Sequence, residues 1–140
     1  MRRRAPAQIL PLMAILIMAL FVVTGLALDG GQVLVARREV QGIADAAARA
    51  GAEQLDERSV RGGDAFPRID PGAAYTAAAA YVAIQPQGFM ASVSTTPQQV
   101  AVQVSKTIPL TFMRLVGMNS ATIEAIGTAV PRTGITQVGN

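Results

Sequence analysis

Residues 9–28 read ILPLMAILIMALFVVTGLAL, a run of twenty residues without a charged side chain. A helix advances about 1.5 Å per residue, so a run of this length covers the roughly 30 Å hydrocarbon layer of a bilayer. Pro11 lies in the first turn, where a missing backbone donor is tolerated, and the Thr24 hydroxyl can bond a carbonyl one turn back. The sequence therefore predicts a transmembrane helix over residues 9–28.

The charges that flank this apolar run are asymmetric. Arg2, Arg3 and Arg4 precede it, and Asp29 follows it. Because positively charged flanks stay in the cytoplasm, residues 1–8 are expected to form a cytoplasmic basic N-terminus. The three arginines are therefore the membrane-orienting residues, and the chain from residue 29 onward is expected outside the cytoplasm.

Two other interpretations of the apolar run remain open. A buried core helix would need to be surrounded by the Ala-rich remainder of the chain. A cleaved secretory signal fits the basic start and the small-x-small site at Gly25-Leu26-Ala27. Typical signals, however, have apolar regions of about 7 to 15 residues, which is shorter than this run. An uncleaved anchor is the favoured interpretation, with a secreted periplasmic module as the alternative.

Composition excludes several classes of function. The chain has no His and no Cys, which removes zinc fingers, disulfide frameworks, cysteine nucleophiles and Ser-His-Asp triads. Three of the 12 basic residues precede residue 5, and the other nine balance the nine acidic residues. A nucleic-acid surface would need clustered cations. We therefore expect no nucleic-acid partner, no small-molecule substrate and no cofactor or metal.

The acidic residues show no catalytic pattern. Their spacing matches neither a glycosidase pair nor a calcium loop. Asp64 and Asp70 could in principle act as acid and base, but loop and helix-capping roles are far commoner for such residues. No catalytic residue is predicted, and the chain is expected not to be an enzyme.

A second helical pattern follows the apolar run. Asp29, Gly30 and Gly31 form a candidate hinge, since each glycine costs about 1 kcal/mol relative to alanine inside a helix. Apolar residues then recur at a 3.5-residue spacing, which predicts an amphipathic helix over residues 32–55. Its seam packs either on its own domain or on a neighbouring subunit. The candidate interface residues are Val33, Val40, Ile43, Ala47 and Ala50.

The remaining segments predict a small α+β module. Residues 56–70 are charged and glycine-containing, which indicates a solvated loop. Asp70 and Pro71 match an N-cap and a first helical position, and predict a helix ending near residue 84. Apolar alternation in 89–96 and 100–105, on either side of a turn at 96–99, predicts an antiparallel hairpin. A short helix at 110–116 and a third strand at 121–130 follow, and residues 131–140 are expected to form a flexible tail.

The predicted architecture is thus a transmembrane helix that continues into an amphipathic helix, then a three-stranded antiparallel sheet with short helices. An isolated sheet of this size has a thin core and needs a helix over one face. Docking of the amphipathic helix on Val100, Val102 and Val104 would bury that face. The external module is expected to extend over residues 29–130.

The N-terminal pattern resembles a known family. The residues that carry the likeness are the span leading into Asp29-Gly30-Gly31, the pair Arg37-Arg38 and the block Asp45-Ala46-Ala47-Ala48. They resemble the N-terminal module of the TadG-like, or TadE/TadG-like, proteins of Flp-type (Tad) pilus assembly. Residues 108–130 also look like the family's ending of a short helix and a strand.

This resemblance implies a non-enzymatic, single-pass protein of the bacterial inner membrane, with the lipid bilayer and other pilus-assembly or envelope proteins as partners. Longer relatives carry a von Willebrand A-type domain with an Asp-x-Ser-x-Ser metal site, but residues 92–96 read SVSTT, so metal-dependent adhesion is not expected. Pilin relatives have a Gly at the processing site and a Glu five residues later. Here Ala7-Gln8 precedes ILPLM, which disfavours the alternative of a processed minor pilin or pseudopilin.

Overall fold

A computed structural model describes residues 9–63, 67–86 and 88–131. The predicted cytoplasmic N-terminus with Arg2, Arg3 and Arg4, the acid Asp64 and nearly all of the predicted tail lie outside these residues. The secondary structure confirms an α+β fold with an antiparallel sheet in the order β1-β2-β3. Its elements are α1 (Ile9–Ala52), α2 (Glu57–Arg61), α3 (Pro71–Ala83), β1 (Phe89–Thr95), β2 (Val100–Pro109), a 3-10 helix (Met113–Val116) and β3 (Ser120–Ala129).

Two compact units make up the chain, and each is described by itself. The first unit consists of residues 9–35 and 108–121, and the second of residues 36–107 and 122–131, as far as the structure describes them. The first unit holds the apolar segment of α1 and the 3-10 helix. The second holds the rest of α1, α2, α3 and most of the sheet.

The apolar segment of α1 has no protein covering on most of its length. Every residue from 9 to 24 is exposed, including Leu10 at 81% and Phe21 at 68%. A core helix of a soluble domain would be buried, so this exposure does not fit that alternative. Within the described residues, α1 is the one helix that is long and apolar enough to cross a membrane.

In the second unit, α1 packs against the sheet, as the sequence predicts. Val40 and Ala44 of α1 are fully buried, and so are the three valines of β2 that the hairpin pattern points inward, Val100, Val102 and Val104. The approach is close. A Cβ added to Gly127 of β3 would collide with the Ala44 backbone. Because Gly127 has no side chain, the backbones of α1 and β3 can approach this closely.

The helix α3 starts as predicted. Asp70 adopts an extended conformation, and its carboxylate accepts hydrogen bonds from the N–H groups of Gly72 at 2.9 Å and Ala73 at 3.2 Å. Pro71 is the first helical residue. This capping satisfies donors that a helix start leaves without partners.

The prediction of a plain loop over residues 56–70 is wrong in part. Residues 57–61 form α2, capped by the Asp56 side chain, which accepts from the Arg58 N–H at 3.0 Å. An isolated bridge joins Leu55 to Ile69, and Ile69 is 1% exposed. A five-residue helix is too short to show hydrophobic periodicity, and one buried isoleucine gives no repeat to detect.

The sheet has one buried and one polar face. The register pairs Val93 with Val102, so both point to the buried side. On the other face the hydroxyls of Thr107 and Thr122 lie 3.0 Å apart. The predicted helix at 110–116 is observed as the shorter 3-10 helix, which ends at Gly117 with a φ of 91°. That left-handed conformation favours glycine.

Candidate functional site at the end of the apolar segment

In the first unit, the Asp29 carboxylate accepts three hydrogen bonds from backbone N–H groups. One oxygen, Oδ1, accepts a hydrogen bond from the Thr111 N–H at 3.0 Å. The other, Oδ2, accepts from the N–H groups of Phe112 at 2.8 Å and Met113 at 2.7 Å. Asp29 is only 2% exposed. One acid on α1 thus holds three successive backbone donors of the segment between β2 and β3.

We call residues 110–119 the clamped loop. It closes on itself through the Leu110 N–H, which donates to the Asn119 carbonyl at 3.0 Å, and through the Met118 N–H, which donates to the Met113 carbonyl at 3.0 Å. The first N–H groups of a short helical turn have no partner within that turn. Asp29 supplies their acceptor, so the carboxylate orients the loop as well as attaching it.

A second contact lies one helical turn before Asp29. A Cβ added to Gly25 would come within 2.6 Å of both Cβ and Cγ of Phe112, so the phenyl ring occupies the space that a side chain would take. Residues 25 and 29 are four apart and share a face of α1. The clamped loop therefore follows this face of the helix for a full turn.

Two opposing effects act on the pKa of Asp29. Burial of the carboxylate disfavours its charge, and on its own it would raise the pKa. The hydrogen bonds from the N–H groups of Met113, Thr111 and Phe112 favour the charged form and outweigh that effect. The pKa of Asp29 is therefore below its usual value, and the carboxylate is ionised at neutral pH.

The clamped loop exposes apolar side chains next to this polar attachment. Leu115 is 87% exposed and Met118 is 52% exposed, and the cation Arg114 is exposed beside them. Phe112 and Met113 are half-buried. The buried Asp29 carboxylate therefore fixes the backbone of a loop whose Leu115 and Met118 side chains are exposed.

The candidate hinge residues have different surroundings. α1 remains helical through Asp29, Gly30 and Gly31, so the helix does not break there. A Cβ on Gly30 or Gly31 would meet no atom within 4 Å. A hinge at these residues stays a prediction about motion, whereas the structure shows that Asp29 itself is the acceptor for the clamped loop.

The candidate interface residues divide into two groups. Val40, Ile43 and Ala47 are buried within this chain, while Val33 and Ala50 are half-buried. Burial by the chain's own residues favours the interpretation in which the seam packs on its own domain. A role in subunit contact stays a prediction, and it depends on the two half-buried positions.

The described residues do not bring metal ligands together. No group of three or more metal-ligating acids is present among them. Asp70, one of the two acids weighed for catalysis, is engaged as the cap of α3. These acids therefore do not mark a metal or catalytic site. The candidate site with defined geometry is the set of hydrogen bonds between Asp29 and the clamped loop.

Sequence patterns missed this attachment because its donors are backbone groups. An N–H carries no residue identity, so nothing in residues 111–113 indicates that they bind an acid. The available signal was the position of Asp29 directly after twenty uncharged residues. A buried acid at the end of an apolar helix needs hydrogen-bond donors, but the sequence does not say which segment provides them.

The N-terminal segment of the chain matches a protein-family model. Residues 7–54 match the Tad family model, described as "Putative Flp pilus-assembly TadE/G-like". The matched segment contains α1 with Asp29 and includes none of the strands. The resemblance of the N-terminal module is confirmed for this segment. Searches of curated proteins and of solved structures give no match.

Proposed function

We propose that this chain, whose residues 7–54 match the TadE/G-like model, is a non-enzymatic single-pass component of a Flp/Tad-type pilus-assembly apparatus. Residues 9–28 anchor it in the bacterial inner membrane, and residues 29–130 form an external module for contact with other assembly or envelope proteins. The observation that carries the proposal is the exposed apolar segment of α1 within the matched region.

The contact between Gly25 and Phe112 supports an uncleaved anchor. A signal peptidase acting after Ala27 would remove Gly25 and expose the ring that packs on it. The same cut would leave Asp29 at the second position of the product, next to a mobile terminus. Retention of the whole helix keeps both attachments of the clamped loop.

Carbonate extraction of membranes tests the anchor. The native chain is expected in the membrane pellet with a mass that includes residues 9–28. Leu16→Arg places a cation at the span centre, where insertion costs about 2.5 to 3.5 kcal/mol, so extraction is expected to rise markedly. A soluble chain shortened near residue 27 would instead establish the secreted-module alternative.

Orientation can be tested separately, because the chain contains no cysteine. Thr128→Cys, at an exposed position of β3, is expected to react with a membrane-impermeant maleimide in spheroplasts. Ala5→Cys is expected to react only after lysis, since the arginines hold that end inside. The reverse pattern would contradict the proposed topology.

A minor pilin or pseudopilin remains the second candidate, and one observation favours it. α1 runs for 44 residues without a break, and its first part is exposed, as a helix in a filament bundle requires before assembly. Incorporation into sheared filaments, together with a terminus shortened at residue 7 or 8, would support this candidate over the assembly component.

A further inference from the structure

We propose that the clamped loop is a second membrane contact, in which the side chains of Leu115 and Met118 enter the interfacial layer of the lipid bilayer beside the exit of α1. The occupant of this apolar surface is phospholipid. The inference rests on the proposed function in one respect, namely that residues 9–28 span the bilayer.

The level of the loop along α1 follows from its two attachments. Asp29 binds the N–H groups of residues 111–113, and Gly25 contacts the Phe112 ring. Gly25 lies three residues before the end of the uncharged run, about 4.5 Å inside it along the helix axis. If residues 9–28 span the hydrocarbon layer, Phe112 must lie at the edge of that layer.

The side chains that the loop leaves open suit this depth. Leu115 is 87% exposed and Met118 is 52% exposed, and both belong to the same unit as Gly25 and Asp29. Arg114, exposed directly before Leu115, can bury its aliphatic stem while its guanidinium reaches phosphate groups. Aliphatic side chains next to a cation are typical of segments that lie in a membrane interface.

The charge of Asp29 is compatible with a position near lipid. Three backbone donors surround the carboxylate, and it is 2% exposed. An acid whose hydrogen bonds are already made does not need bulk water at the edge of the apolar layer. The attachment therefore holds the loop at a depth where an unpartnered acid would be costly.

A tryptophan depth measurement tests the proposal on the full chain in phosphatidylcholine vesicles. The chain contains no Trp, so Leu115→Trp introduces a single indole at an exposed site. The fluorescence emission of this indole is expected at a shorter wavelength than that of an indole in water, because the bilayer interface is less polar. Lipids brominated near the glycerol end of their acyl chains are expected to quench it. Ile126→Trp, at a site 60% exposed on β3, is the matched control and is expected to be quenched only by acrylamide in water.

A third variant separates this proposal from the proposed function. Leu20→Trp lies in the predicted span and is expected to be quenched by lipids brominated along the chain. Quenching of Leu20→Trp without quenching of Leu115→Trp would overturn the loop contact and leave the anchor intact. Absence of lipid quenching in both variants would remove the anchor and the loop contact together.

Two further outcomes decide between lipid and protein as the occupant. A shift to shorter wavelength at position 115 without lipid quenching would overturn the proposal in favour of a protein contact. Adding Asp29→Ala to Leu115→Trp removes the acceptor of three N–H groups, so lipid quenching of the indole is expected to decrease. Undiminished quenching in this double variant would contradict the claim that Asp29 sets the depth of the loop.

Discussion

Gly25 and Phe112 lie in contact with no space for a methyl group between them. Glycine in a helix normally costs stability relative to alanine, so its presence in the apolar segment has a structural reason here. The reason is that the Phe112 ring packs directly on the Gly25 backbone. This contact, together with Asp29, fixes the clamped loop on α1.

Gly25→Ala is expected to loosen this loop although alanine is the better helix former. The new Cβ would lie within 2.6 Å of two Phe112 carbons, which forces the ring away. Hydrogen exchange in detergent micelles should show faster exchange of the amides of residues 111–113. Gly30→Ala is the control, since its Cβ meets no atom within 4 Å. The double variant Gly25→Ala/Phe112→Ala removes the clash, so its amides 111–113 are expected to exchange more slowly than those of Gly25→Ala alone. Exchange as fast as in Gly25→Ala would contradict the steric explanation.

The stability that Asp29 gives to the loop is expected to depend on pH in the acidic range. Its folded-state pKa is lowered, because the backbone N–H groups favour the ionised form more than burial disfavours it. The contribution is therefore complete above the unfolded-state value of about 4 and declines as the pH falls through the lower folded-state pKa. A ¹³C titration of the Asp29 carboxyl carbon in micelles measures this directly. In Asp29→Asn the amide shifts of residues 111–113 should lose this titration, and a midpoint above about 4 in the native chain would contradict the prediction.

Gly127→Ala is expected to destabilise the second unit by about 1 to 3 kcal/mol, the usual effect of overpacking. The added Cβ would collide with the Ala44 backbone and separate β3 from α1. Denaturant unfolding followed by circular dichroism provides the measurement. Gly42→Ala, an exposed helical site with no atom within 4 Å of the new Cβ, should stabilise by up to about 1 kcal/mol. Equal effects of the two substitutions would argue against the close approach.

The hinge hypothesis can be tested by stiffening the helix. Gly30→Ala combined with Gly31→Ala should favour the helix by about 1 kcal/mol per site, since both positions are open. If bending there is needed for pilus assembly, pilus number is expected to fall while chain level and membrane retention stay unchanged. Gly42→Ala serves as the control for helix stability alone. Normal piliation in the double variant would eliminate the hinge.

The seam of α1 offers a test of subunit contact. Ala47 is fully buried, so Ala47→Leu is expected to overpack the module and lower its stability by about 1 to 3 kcal/mol. Ala50 is half-buried, so Ala50→Leu should leave the fold largely intact. A loss of co-purifying envelope proteins in Ala50→Leu, at unchanged unfolding midpoint, would support the interface. Unchanged co-purification would restrict the seam to internal packing.

The elements with repeating signals were predicted well from the sequence. Residues 9–28 and the alternating valines of β2 carry a pattern over many positions, and Asp70 with Pro71 carries a local one. These signals arise from burial and from capping, both of which select residue types. The helix α2 has neither a repeat nor sufficient length, so the sequence predicts a loop in its place.

The sequence indicates one partner of the candidate site, Asp29, but not the backbone N–H groups that it binds. The position of Asp29 after the apolar run marks it in the sequence, where it is a candidate hinge residue with Gly30 and Gly31. Its hydrogen bonds go to N–H groups more than 80 residues later, which have no side-chain signature. Contacts between an acid and a distant backbone depend on tertiary packing, and a pattern within a window cannot contain them.

Because Asp29 binds main-chain atoms, its three hydrogen bonds do not select the side chains of the residues that donate them. Thr111 and Met113 donate only their backbone N–H groups to Asp29, so these hydrogen bonds exclude proline at either position and depend on no other feature of the side chain. The acid itself has no such freedom. Single substitutions at exposed positions of such a loop can change the side chains at its surface while its backbone hydrogen bonds to the helix persist.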